Sequence, residues 1–168
     1  MRTTNKKSFF KYYQTVNNNK ILIMWDYTPI VKTTTNGGVI ETPLASWEEY
    51  LFDYIPSFNE IQHVILDYYN QQIENEIKSG CVWKNMNIWL SLENQINFKV
   101  IYDLTQQTNG QNLPITLKLN TSENPIYYDF NTVEDVSDFY LTTIKHIQNT
   151  LQKGWEKKDS INWSNYKI

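Results

Sequence analysis

Cysteine is almost missing from this chain, and several functions go with it. Cys81 is the only one, so no intrachain disulfide and no multi-thiolate metal cluster can form. Its place within an apolar run marks it as a small buried hydrophobe. No run of about 18 apolar residues occurs, so no transmembrane helix is expected. The opening MRTTNKKSFF has no apolar h-region, which excludes an ordinary signal peptide and points to a soluble chain made in a cytoplasm. Positive charge is also short: the net charge is −3 and the pI about 5.4. The one basic cluster, Arg2 with Lys6, Lys7 and Lys11, reads as a solvated arm, so nucleic acid is not expected as the main partner. Alanine occurs once, as Ala45, against an excess of Asn, Ile, Lys and Tyr. AT-rich codons produce that bias, as in a low-GC bacterium or its virus.

Catalytic patterns are missing too. Neither a phosphate-loop motif nor G-x-S-x-G, H-E-x-x-H or a Cys/His constellation is present, and no repeat of about 20–50 residues is visible. His63 and His146 stand singly on helical patterns and make no two-His metal motif. Glu48/Glu49 and Glu134/Asp135 fall where first helical turns are expected and read as dipole-complementing acids. Glu74 and Glu76 are two apart and cannot share a helical face. No catalytic residue, cofactor or metal ligand is expected.

What the chain does have is rings: 12 Tyr, 7 Phe and 6 Trp, too many for a disordered polypeptide. They suit a core, and they also suit contact surfaces. At 168 residues the length fits one domain with room for an extra arm.

The stretch Ser79–Leu104 organises the rest. Gly80 closes a long helix; the runs Cys81–Trp83 and Ile88–Leu90 flank the turn Lys84–Asn87; Ser91 then caps a second helix. Before it, residues 1–19 are polar apart from Phe9, Phe10, Tyr12 and Tyr13. They read either as an arm that orders on a neighbouring molecule or as a short helix on their own domain. Ile21–Tyr27 reads as a buried strand, and Ile30–Thr35 and Val39–Thr42 as a hairpin around Asn36-Gly37-Gly38. Ser46-Trp47-Glu48-Glu49 has the form of a capping box opening a short helix, Trp47–Tyr54. Ser57 to Glu60 repeats the device and opens a helix over 58–79, with Ile61, Ile65, Tyr69, Ile73 and Ile77 inward.

After Ser91 a helix is expected to about Gln107, with Leu92, Ile96, Val100, Ile101 and Leu104 on its inner face. Ile115–Leu119 and Pro125–Phe130 follow as a strand pair about the turn Ser122–Asn124. The last helix starts at Thr132 and carries Val136, Tyr140, Ile144, Ile147, Leu151 and Trp155 at 3/4 spacing. Gly154 is a possible break, but the stripe favours continuation to about Ser160. Residues 162–168 carry Trp163 and Tyr166, apolar enough to dock.

The order within SGCVWKNMNIWLSLENQ, then a strand pair and a long helix with His-Ile-Gln, resembles a domain of unknown function at the C-termini of phage tail-associated proteins, some encoded near tail-fibre genes. The likeness covers 55–161. The ending GWEKKDSINW is similar to proteins of Bacteroides gut phages, including the crAss-like group. Cys81 stands where that family often has Phe, and Asn85 or Asn87 where it often has Gly. The resemblance carries no catalytic residues; it implies a virion or assembly role.

The expectation is therefore an α+β protein: an arm (1–19), a β-rich part (20–54), a helix–hairpin–helix–hairpin–long-helix domain (55–161) and a tail (162–168). Its expected role is a non-enzymatic phage structural protein of the tail or neck, ring-forming or adaptor, homo-oligomeric and bound to other virion proteins. The alternative is a tail-fibre assembly chaperone not retained in the virion; a small soluble binding protein is a third reading. Phe9, Phe10, Tyr12, Tyr13, Trp155, Trp163 and Tyr166 are the candidate partner contacts.

Overall fold

Two long antiparallel strands, β3 (Lys20–Thr33) and β4 (Val39–Phe52), form the frame of the N-terminal part of the computed structural model. The structure describes residues 1–17, 19–34 and 37–168. Asn36 of the expected turn Asn36-Gly37-Gly38, and Thr35 of the strand expected before it, lie outside them; Thr33 and Val39 on either side pair. The chain divides into two units, residues 1–68 with 161–168, and residues 69–160.

In the first unit, β1 (Arg2–Lys6) and β2 (Tyr13–Asn17) flank the frame, in the order β1-β4-β3-β2. The ILIMW run of β3 is apolar on both sides because both sides are covered. Ile21, Ile23 and Trp25 share one face by the two-residue period, and Trp25 meets Tyr68 of α1 (Phe58–Ser79) edge-on at 5.5 Å. Met24, on the other face, packs with Ala45, Trp47, Phe10 and Leu22. Asp26, at φ 54°, sits in the register shift between Trp25 and Thr28.

Two expectations are corrected here. Residues 1–17 are not a free arm: Arg2–Lys6 register against Glu48–Leu44, and Tyr13–Asn17 against Ile23–Lys20. Their polarity is that of edge strands, whose outward groups face water. Nor does Ser46-Trp47-Glu48-Glu49 open a helix. It lies in β4, with β1 registered against Leu44–Glu48 on one side and β3 against Ala45, Ser46 and Glu48 on the other, and non-local ladder bonds prevail over the local capping pattern. Glu48 is buried, but Arg2 of β1 reaches it at 3.5 Å and also bonds Asp26 at 3.1 Å and Ser46 at 2.7 Å. That pairing offsets the cost of burying the carboxylate.

The helix expected over 58–79 is α1, and its capping box is formed: Ser57 N–H donates to Glu60 Oε2 at 2.7 Å and Glu60 N–H to Ser57 Oγ at 3.4 Å. α1 belongs to the first unit up to Tyr68 and to the second from Tyr69. The second unit runs from Tyr69 to Ser160, and residues 161–168 group with the first.

Gly80 ends α1 at φ 83°, and a Cβ there would lie 1.7 Å from the Ile88 carbonyl oxygen, so only glycine fits. β5 (Cys81–Trp83) and β6 (Met86–Ile88) form a tighter hairpin than expected. Its turn is Lys84–Asn85 alone, both at positive φ. Then come α2 (Leu92–Gln107), capped by Ser91, the hairpin of β7 (Ile115–Asn120) and β8 (Pro125–Phe130), and α3 (Val133–Asp159). Trp83 is central to the core of this unit, stacked on Phe130 at 5.4 Å and edge-on to Phe139 at 5.2 Å and Tyr128 at 5.0 Å. Cys81 is half-buried, and that burial raises its thiol pKa.

α3 continues through Gly154, but its buried line is Val136, Phe139, Thr143, Thr150 and Gly154, with Trp155 left in solvent. The expected stripe was thus rotated by about one position. Among the described residues no helix is long and apolar enough to cross a membrane.

Candidate interaction surface

Most of the aromatic residues singled out in the sequence meet inside the first unit. Phe10 packs edge-on to Tyr12 at 5.2 Å and to Trp47 at 5.7 Å. Tyr12 in turn meets Tyr166 at 5.4 Å, and Trp163 meets Phe58 at 6.3 Å. Tyr166 is buried and its hydroxyl donates to the Met24 carbonyl at 3.2 Å. These rings join the two ends of the chain to the sheet. Phe10, Trp163 and Tyr166 are thus packing residues, and Tyr12 is divided between packing and solvent. Phe9, Tyr13 and Trp155 remain outward, Trp155 on the second unit.

The apolar surface the structure does expose lies on α2. Leu92, Ile96 and Val100 were expected inward, yet they are 69, 55 and 58 % exposed, and Leu104 is exposed as well. The buried side carries Phe98 and Thr105, flanked by half-buried Ile101 and Tyr102. Phe98 meets Phe139 edge-on at 4.8 Å, and Tyr102 stacks on Tyr140 at 4.4 Å and 18°. Positions 96 and 100 are each two residues from 98, which on a helix of 3.6 residues per turn places them on the opposite side. The aromatic side takes the core because rings bury more area than aliphatic chains and α3 offers rings to meet them.

α2 is therefore apolar on two sides, one more than a single core uses. That excess was the signal available in the sequence. Between the exposed stripe and Tyr140, Ile144 and Ile147 of α3 runs a groove of about 370 Å³.

Polar side chains of the second unit are paired with one another. Trp83 Nε1 donates to Asp138 at 2.8 Å. Lys84 bonds Asp135 and, at 2.9 Å, the Tyr128 hydroxyl, which itself donates to Asp135 at 2.6 Å. Partial burial pushes the Asp135 pKa up, but the bonds from Lys84 and Tyr128 outweigh it and hold the carboxyl below its usual value. The Lys84 pKa is raised in turn by its own bonds to Asp135 and to the Tyr128 hydroxyl. In the first unit burial, with Glu48 and Asp26 adding, pushes Tyr68 up to about 12.

His63 pairs with Asp67 at 3.2 Å on an exposed face, and His146 Nε2 lies 3.3 Å from the Glu76 carbonyl. Among the described residues no group of three or more His, Cys, Asp or Glu is placed to hold a metal ion. Comparison with protein-family models, characterised proteins and solved structures returned no match.

Proposed function

We propose that this chain is a non-enzymatic assembly subunit whose α2–α3 groove receives an apolar segment of the next copy, as part of a phage tail or neck. The observation that carries the reading is the exposure of Leu92, Ile96 and Val100 beside an apolar groove. Contiguous apolar surface of that kind marks an interaction site. A ring of identical subunits needs a donor surface different from the acceptor, and the first unit supplies one. Beyond Leu44 and Met24, among the described residues, the strands β4 and β3 pair only with each other, and this two-stranded ribbon exposes Val31, Val39 and Ile40. The placement in a virion is supported by the AT-rich composition and the motif order SGCVWKNMNIWLSLENQ.

Light scattering on the purified chain tests the docking. The wild type is expected to self-associate, and Ile96→Asp with Val100→Asp to give a monomer with an unchanged circular-dichroism spectrum. A wild type that stays monomeric at high concentration would overturn the self-docking reading. Mass spectrometry of purified virus particles tests the location. Absence from particles together with capture by a tail-fibre protein would replace the structural role with that of an assembly chaperone.

A further inference from the structure

We infer that the pocket beside Trp89 is a binding site for a pyranose ring of a glycan. Trp89 follows β6, where alternation turns Met86, Ile88 and Leu90 into the core and leaves Asn87 and Trp89 outward. The residue is 64 % exposed, an unusual position for so large an apolar side chain in a unit whose other early tryptophan, Trp83, is the centre of the core. Beside it a pocket of about 220 Å³ is lined by Asn87, Asn94, Lys118, Asn120 and Ser122, over a floor that includes Phe98. That is smaller than the roughly 300–1,000 Å³ of pockets for drug-sized ligands, and suits one sugar ring.

The amides are held in place by each other. Asn87 Nδ2 donates to Asn120 Oδ1 at 3.1 Å, Asn120 Nδ2 to the Asn124 carbonyl at 2.8 Å, and Asn94 Nδ2 to the Trp89 carbonyl at 2.9 Å. Each amide thus gives its donor to the protein, which orients the Oδ1 atoms of Asn87 and Asn94 as acceptors without a hydrogen-bond partner among the described residues. The Lys118 ammonium is likewise without a partner among the described residues, and with Ser122 it supplies donors. Fixed acceptors, a few donors and a flat exposed indole match a ligand with hydroxyls around its edge and C–H groups on its face. No carboxylate is among the residues lining the pocket and Lys118 is, which disfavours a cationic ligand there. The site is separate in its residues from the apolar docking groove and does not depend on it.

The test is a titration of the 15N-labelled full chain with methyl glucopyranoside, methyl galactopyranoside, methyl mannopyranoside and N-acetylglucosamine, following the indole N–H signals, with a microarray of bacterial polysaccharides alongside. The Trp89 signal, identified by its loss in Trp89→Ala, is expected to shift saturably with at least one sugar. Trp89→Ala and Asn94→Ala should each weaken binding about two- to tenfold, as loss of a stacked ring or an oriented acceptor predicts. Trp155→Ala, which removes the other exposed indole of the unit, should leave it unchanged. No shift with any sugar and no array binding, or binding that survives Trp89→Ala, would overturn the assignment.

Discussion

Gly154 offers the sharpest test of how the second unit is packed. A Cβ built on it would lie 2.2 Å from Cδ1 and 2.3 Å from Cγ1 of Ile73 on α1. Carbon atoms in contact prefer about 3.5–4.0 Å, so the overlap is at least about 1.3 Å. Ile73 is β-branched and has essentially one χ1 rotamer on a helix, so its Cγ1 cannot swing aside cheaply. Two effects then oppose each other in Gly154→Ala. Helix propensity gains about 1 kcal/mol, and overpacking costs about 1–3 kcal/mol. The clash should prevail, leaving the variant less stable by about 1 kcal/mol.

Shortening Ile73 to Ala removes the obstacle, and in that background the same glycine substitution should stabilise by up to about 1 kcal/mol. The sign reversal makes a coupling of about 2 kcal/mol, readable in a double-mutant cycle by urea unfolding followed by circular dichroism. If Gly154→Ala stabilises equally in both backgrounds, α1 and α3 are not in close contact there, and the argument fails.

Other consequences follow from the corrected strands and the paired charges. Removing residues 1–17 strips both edge strands and Phe10 from the sheet, so the first unit should lose its proteolytic protection; a truncated chain as protease-resistant as the full one would restore the arm reading. For Asp135 the folded pKa is depressed, so its contribution to stability is fully present above the unfolded value near 3.8 and is lost as pH falls through the lower folded value. Asp135→Asn should therefore cost stability at pH 7 and progressively less as pH falls below 3.8, and a loss that does not shrink there would contradict the pairing. Trp83→Phe leaves Asp138 without its indole donor and should cost about 1–3 kcal/mol in urea melts, whereas Trp89→Phe, exposed, should stay within about 0.5 kcal/mol of the wild type.

The local order of the chain from Ser57 to Ser160 was written in the sequence. Ser57 with Glu60, Gly80, Ser91 and Thr132 mark helix ends by short-range hydrogen bonds or backbone angle, and such signals act within a few residues. The alternation of Ile115–Leu119 likewise needs no partner to be read. What required the tertiary structure was every choice between two locally acceptable answers. Ser46–Glu49 could cap a helix or run as a strand, and β1 and β3 on either side decided it. α2 could bury either of two apolar sides, and the rings of Phe139 and Tyr140 on α3 selected the one with Phe98 and Tyr102. That selection is what leaves Leu92, Ile96 and Val100 outward, so the candidate docking surface could not be located from the helix alone. The same holds for Gly154, which by sequence is a glycine tolerated inside a continuing helix and in the fold is the point where Ile73 comes close. Periodicity is a property of one segment, but burial is a property of whatever packs against it.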